Sequence, residues 1–450
     1  MARLTVHRAA PLLLALASAG GARAATPPPA ELLTLDRAVE LALQHNQGVR
    51  AAALAVDRGD ETIAAARTRY LPALSLEATA GQLLMPVEVQ FAKGSFGTIP
   101  NVGPVPDRDT TVKSGQNPTF SVTSKLEQPL TQLYTAREGV RLAETGRDAD
   151  RAQLQIQCAS VVAEVKRSYH QILASRTALA AAQEQLAARR ELSRTAARLV
   201  VEQAALRSDE LEARSGVAAA SLQVHALEDG LATAREQMNR LLGRDLATPF
   251  EVVALRAAAP EELDLEAARA RALRERPDLR QARLMVEKAD AERRMKAWEY
   301  VPQVSAGVSY SSTFNVETLP SHIAIAGLFL KWEGLDWGRR GSEGREKSLA
   351  VEEARLKVKD AEAAALVEVG DRFRKLQQAR EQVEAARLSH EALRAKAPVL
   401  LNRLRLEAAL LKDALAVQAA LTQAASDHQQ ALAALGSAQA DFEKALGMAP

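Results

Sequence analysis

Two aspartates stand 204 residues apart in similar settings: Asp209 in VEQAALRSDEL (201–211) and Asp413 in LEAALLKDAL (406–415). Acids repeated around a narrow opening attract cations; an acid at a helix start accepts hydrogen bonds from free backbone amides. Both readings are open for this pair. Other chemistry is sparse. Of the seven histidines, His45, His170, His225, His390 and His428 each read as a single histidine on a helix. No HExxH, Walker A, CxxC or GxSxG motif occurs. GRRGSEG (338–344) lacks the Lys-Ser/Thr of a phosphate loop and reads as a turn between a strand and a helix. Carboxylates alternate with Arg and Lys along helix faces, as on a solvated surface. No catalytic residue, cofactor or metal site is expected, and the chain does not read as an enzyme.

Composition narrows the class. The 450 residues carry 58 basic and 56 acidic side chains, a net charge of +2. That balance gives no reason to expect nucleic acid. Hydrophobic residues make up 47% but aromatics only 4%, so the apolar share is mainly Ala, Leu and Val. Small side chains suit helices that approach closely. Residues 1–24 read as a secretory signal peptide: Arg3, His7 and Arg8, then PLLLALASA (11–19), then Ala22-Arg23-Ala24. Cys158 is the single cysteine and reads as a small core residue. No later segment reaches 18 consecutive apolar residues, so no transmembrane helix is expected.

The chain is duplicated. Placing residue n against n + 230 aligns 35–60 with 265–290, and pairs Tyr70 with Tyr300 and Pro72 with Pro302. Further on the offset becomes 204: Leu126 meets Leu330, Asp209 meets Asp413 and Gly243 meets Gly447. The difference, 26 residues, is extra sequence in the first copy between about 77 and 125. The organisation predicted is a first repeat at 25–243, a linker or equatorial segment at 244–264 and a second repeat at 265–450.

Each copy opens on an amphipathic helix (35–69; 265–299), proline-free except for Pro277 near an expected helix start, and a Tyr-x-Pro device ends it, because proline forbids continuation and biases its predecessor to extended geometry. Period-two alternation follows at 71–81 and 301–311, with return strands at 118–128 and 322–332. Each is about ten residues, the length of a tilted transmembrane strand. Next come very long helices, about 131–203 and 338–407, and returning helices, about 209–242 and 413–446, with Gly243 and Gly447 as C-caps. A seven-residue spacing (Val165, Ile172, Leu179, Leu186, Ser193, Val200) predicts coiled-coil packing, and small Ser168, Ser175 and Ala182 leave room for a second neighbour. Four membrane strands cannot close a barrel, so the chain must assemble, with two copies giving eight strands and three giving twelve.

The order and duplication of these features resemble the TolC family of outer-membrane efflux channels. The carriers are LDRAVELALQHN (35–46), Tyr70-Leu71-Pro72, Tyr300-Val301-Pro302, LEQPL (126–130) and the two tips ALRSD and ALLKD. The resemblance implies a mainly α fold with transmembrane β: a homotrimer, a 12-stranded β-barrel, and a periplasmic α-barrel of coiled-coil helices. It implies an outer membrane location, with outer-membrane lipid as surroundings and a long periplasmic extension. It also implies an adaptor (membrane fusion) protein and an inner-membrane pump of RND, ABC or MFS type as partners. In the family the tip turn carries a glycine; here Ala204 and Ala408 stand in its place, a departure that strains a left-handed turn. Docking is expected at Ala204, Ala205, Leu206, Arg207, Ala408, Ala409, Leu410 and Leu411, and aperture acids at Asp209 and Asp413. Ser75, Glu77, Thr79, Gln303, Ser305 and Ser309 are expected to line the barrel lumen. Tyr70, Pro72, Tyr300 and Pro302 mark the helix-to-strand boundary. The function expected is a passive conduit for drugs, metals or other toxic compounds within a tripartite efflux system. A type I protein-secretion channel is the alternative, and an exported coiled-coil or adaptor protein a more distant one.

Overall fold

A computed structural model describes residues 31–82, 84, 88–113, 118–203, 205–254, 264–315, 320–405 and 411–447. The expected leader lies outside these. The first copy contains β1 (Glu31–Leu33), α1 (Leu35–His45), α2 (Gln47–Arg67), β2 (Ala73–Gln82), β3 (Glu88–Phe91), β4 (Thr98–Ile99), β5 (Gly103–Pro104), β6 (Thr110–Lys113), β7 (Pro118–Pro129), α3 (Leu133–Val201) and α4 (Arg207–Leu241). Then come β8 (Phe250–Val252), α5 (Leu265–Glu275), α6 (Pro277–Trp298), β9 (Gln303–Phe314), β10 (His322–Lys331), α7 (Arg339–Arg405) and α8 (Leu411–Ala445). With 69 residues, α3 is about 100 Å long at 1.5 Å per residue.

The four long strands form one antiparallel sheet in the order β10-β9-β7-β2, so the two copies meet at β7 and β9. The extra segment of the first copy projects beyond this sheet as two small hairpin pairings, β3 with β6 and β4 with β5. On the other side of the sheet the helices run away in two hairpins. Helix α3 packs along both α4 and α8, and α7 along α8.

The opening helix of each copy is not continuous, as 35–69 and 265–299 were expected to be. It breaks at Asn46 and at Arg276, positions related by the 230-residue offset, where the backbone turns extended (φ −60°, ψ 130°; φ −64°, ψ 124°). Asn46 restarts the helix by accepting from the amides of Gly48 (2.9 Å) and Val49 (3.3 Å), while its Nδ2 donates to the Leu241 carbonyl at 2.9 Å. Arg276 precedes Pro277, which opens α6, and its Nη1 donates to the Ala445 carbonyl at 3.1 Å. Leu241 and Ala445 end the returning helices at equivalent positions, so unlike side chains make the same joint. Gly243 and Gly447 follow at φ +66° and +75°. A Cβ on Gly243 would stand 2.2 Å from the His45 carbonyl oxygen.

The larger core sits at this joint. Leu33, Ala42, Val165, Ile172, Met238 and Phe250 are buried together around Tyr169, with Cys158 packed against them. Tyr169, fully buried, has its hydroxyl 2.9 Å from the Leu33 carbonyl and 2.8 Å from that of Val253, and accepts from the Val253 amide at 3.0 Å. It thereby ties α3 to the parallel pair of β1 and β8. The equivalent residue of the second copy is Phe373, which packs on Phe442. Further along, Leu186 packs with Ala220 and Val224, but the heptad then slips: Leu192 and Ala196 bury against Ala213, and the expected Ser193 is only half-buried.

Candidate channel surfaces

The register of the sheet sorts its side chains. Leu74, Leu126, Val308 and Ala326 lie in one cross-strand row, and Ala80, Phe120 and Phe314 in another on the same face. The opposite face holds the rows Ser75, Lys125, Ser309, and Glu77, Thr123, Ser311, and Thr79, Ser121, Thr313. Ser305 and Gln303 continue that second face by parity. All six residues expected at the lumen therefore share the polar face, and the apolar face opposite is exposed along Leu74, Leu76, Leu328 and Leu330. Polar residues that the sequence reading left unassigned join them. Glu127 accepts from Ser305 Oγ at 2.6 Å and pairs with Lys125 at 2.5 Å, and Lys125 Nζ lies 5.7 Å from the Phe329 ring centre. Thr123 and Ser311 hydroxyls meet at 3.1 Å. The signal was present in the alternation of β7, from Ser121 to Glu127. Strand β10 departs from simple alternation, with Ile323, Ile325 and Phe329 on the polar side.

The boundary devices are built alike. The amide of Leu71 donates to Thr68 O at 3.0 Å and that of Val301 to Trp298 O at 3.1 Å, again 230 residues apart. Leu71 is extended (φ −93°, ψ 155°) ahead of Pro72, as proline requires. The Tyr70 carbonyl accepts from Gln128 Nε2 at 3.1 Å, and the Tyr300 ring lies 5.9 Å below the Arg340 guanidinium. Nearby, Tyr134 stacks on Trp298 with ring centres 4.4 Å apart. The turn before helix α7 is held by Asp336, whose carboxylate accepts from the Gly338 and Arg340 amides at 3.1 Å each. Those amide bonds, that from Arg340 foremost, hold its pKa below the ordinary carboxylate range.

At the far end α3 passes into α4. Ala204, Ala408, Ala409 and Leu410 lie outside the described residues, as does the Leu411 side chain. The left-handed residue described in the first turn is Gln203, at φ +57°, the position before Ala204. Leu206 is 69% exposed and Arg207 is exposed beside it, while Ala205 is half-buried. Asp209, third residue of α4, accepts from the Leu206 amide at 3.3 Å, so it does satisfy a free amide at the helix start. Asp413 occupies the same place in α8 and is exposed.

Two histidines read as isolated are brought together. His390 of α7 and His428 of α8 stack with ring centres 5.9 Å apart and planes 24° from parallel. Burial, then the charges of His390 and Arg387, push the His428 pKa down, opposed by Glu391. Burial likewise lowers His170, which faces Gly436 at a separation no Cβ would allow. Burial raises the Cys158 thiol, leaving it a poor nucleophile. No cluster of three or more His, Cys, Asp or Glu able to hold a metal occurs among the described residues, and no described helix is long and apolar enough to cross a membrane.

The duplicated hairpins, the two-faced sheet and the broken opening helices define a class of membrane channel protein. The model of the outer membrane efflux protein family matches residues 38–244 and 268–447, and the chain belongs to that family. It is an outer-membrane protein whose family members are passive conduits, and its fold is mainly α with transmembrane β. Among solved structures it is similar to the outer-membrane channel OprN (20% identity, TM-score 0.73, 92% of this chain and 89% of that one). It is also similar to the CmeC outer membrane channel of Campylobacter jejuni (15%, 0.75, 92% and 85%). The outer membrane protein VceC of Vibrio cholerae is a third (14%, 0.73, 92% and 96%). No curated protein sequence matches the chain.

Proposed function

We propose that the protein is a homotrimeric outer-membrane channel of a tripartite efflux system, exporting small toxic compounds passively. The observation that carries this is the open four-stranded sheet, apolar on one face and polar on the other, at the end of two helical hairpins. Strands β2 and β10 stand at the two edges of this sheet, and lipid does not tolerate open edges. Three chains joined edge to edge give about twelve strands, within the size range of closed membrane barrels. The polar face, with Ser75, Glu77, Thr79, Gln303, Ser305 and Ser309, then lines the lumen, together with Lys125 and Glu127. The hairpins continue the pore through the periplasm. An adaptor protein docks at Leu206, Arg207 and their second-copy counterparts at 410–411, and an inner-membrane pump supplies the energy. Asp209 and Asp413 ring the aperture, where splaying of the tip helices opens it.

Membrane fractionation with cross-linking tests the assembly. The expected product is an outer-membrane trimer; a soluble periplasmic monomer would sink the reading. Deletion followed by a panel of drugs, dyes and metals tests the efflux role, with increased susceptibility expected. Unchanged susceptibility to every compound, with export of a secreted protein abolished, would favour protein secretion instead.

A further inference from the structure

We propose that Trp337 is a membrane anchor, inserted by a deliberately strained turn into the headgroup region of the periplasmic leaflet of the outer membrane. The proposal rests on reading the four-stranded sheet as part of a membrane barrel.

Trp337 is 90% exposed and sits at φ +54°, immediately before Gly338 at φ +84°. A bulky residue in the left-handed region is an outlier, and such outliers persist only where the surroundings enforce them. The enforcement is visible. Asp336 clamps the turn from below through the Gly338 and Arg340 amides. Arg340, 7% exposed, donates to the Glu333 carbonyl at 2.7 Å, and Arg339 pairs with Glu333 at 2.8 Å. The charged groups of the segment are thus tied to one another, while Trp332, Leu335 and Trp337 stand outward. A water-facing loop would be arranged the other way round.

The occupant follows from continuity with the membrane face. Ala324, Ala326, Leu328 and Leu330 of β10 alternate on the same side as Leu126 and Val308, and Trp332 continues that parity at the end of the strand. Tryptophan favours the membrane interface because its ring is apolar and its indole N–H is polar. At the opposite end of the sheet Phe120, Tyr310 and Phe314 occupy the apolar face, so aromatics flank it at both ends. The third tryptophan, Trp298, is occupied by stacking on Tyr134, which leaves Trp332 and Trp337 as the outward pair.

The test uses the full chain reconstituted into phosphatidylethanolamine–phosphatidylglycerol vesicles, with Trp298→Phe and Trp332→Phe leaving Trp337 as the only tryptophan. Lipids brominated near the carbonyl end of the acyl chain are expected to quench its emission severalfold more than aqueous acrylamide does. Strong acrylamide quenching without bromolipid quenching overturns the anchor in favour of a water-facing side chain. Quenching by neither, with loss of SDS-resistant oligomers in Trp337→Gly, overturns it in favour of a contact with a second copy. Trp337→Gly also separates anchoring from folding, since glycine suits this φ. Its thermal midpoint is expected to be unchanged or higher, with vesicle insertion reduced a few-fold; insertion equal to wild type overturns the proposal. Failure of the protein to float with vesicles at all sinks the barrel reading and the anchor together, whereas floating without Trp337 quenching sinks the anchor alone.

Discussion

Single positions carry the joint between the helical segments. Gly243 is required twice, by its positive φ and by the His45 carbonyl that a Cβ would strike. Gly243→Ala is expected to cost about 1–3 kcal/mol or more, since a left-handed non-glycine residue alone costs that much. Gly230, mid-helix in α4 with open space around it, supplies the contrast: Gly230→Ala is expected to stabilise by roughly 0.5–1 kcal/mol. Urea midpoints of the two variants check the pair. His428 gives a pH prediction. Its folded pKa is depressed, by burial first and then by His390 and Arg387, with Glu391 opposing. The unfolded chain therefore takes the proton first, at about pH 6.5. The stability contributed by the neutral ring is present above that pH and is lost as pH falls below it. His428→Gln is expected to flatten the dependence of the melting midpoint between about pH 7 and 5, relative to wild type.

Elements are positioned by a few long-range bonds. Tyr169 joins α3 to β1 and β8, strands of three residues each that could not hold themselves. Tyr169→Phe leaves Leu33 and Val253 without that partner and is expected to cost about 1–3 kcal/mol. The same change is already present in the second copy as Phe373, where the ring meets Phe442 instead. Differential hydrogen exchange should place the loss at residues 31–33 and 250–253 and spare the sheet. Within the sheet, the two faces predict opposite tolerance to charge. Leu76→Arg, on the apolar face near the middle of β2, is expected to cost about 2–4 kcal/mol of folding in bilayers. Thr79→Arg, on the polar face of the same strand, is expected to be nearly neutral. The heat-modifiable folded band in a urea series distinguishes the two.

At the scale of the whole molecule, the charges nearly balance at +2 overall, so selectivity rests on where individual charges stand. Asp209 and Asp413 each stand third in a returning helix, Asp209 close to Leu206 and Arg207, while Lys125 and Glu127 pair with each other on the sheet. Selectivity is therefore expected to live at the tip. Asp209→Asn with Asp413→Asn is expected to reduce cation preference in planar bilayers severalfold; Lys125→Ala is expected to change it less. Because Asp209 also accepts from Leu206, asparagine, which keeps an acceptor oxygen, is the appropriate substitution.

The duplication, the two-faced strands, the Tyr-x-Pro boundaries and the glycine C-caps were all written in local spacing, because periods of two and seven and the offsets 230 and 204 survive without tertiary contacts. Other features arise only when distant segments meet. The breaks at Asn46 and Arg276 carry local marks, a capping asparagine and Pro277, but the side-chain bonds that fix them reach carbonyls at Leu241 and Ala445, 195 and 169 residues away. The stacking of His390 on His428 needs two helices in register, and the slip from Ser193 to Leu192 needs the partner helix that receives the knob. The left-handed turn falls on Gln203, a residue whose type gives no hint of it. The strain at Trp337 is of the same kind: its backbone angle is imposed by Asp336 and Gly338, and no propensity at the position itself would announce it. Sequence determined the elements and their order, since local spacing suffices for that. Tertiary structure decided where they join, because each joint is made by groups that only the folded chain brings within hydrogen-bonding distance.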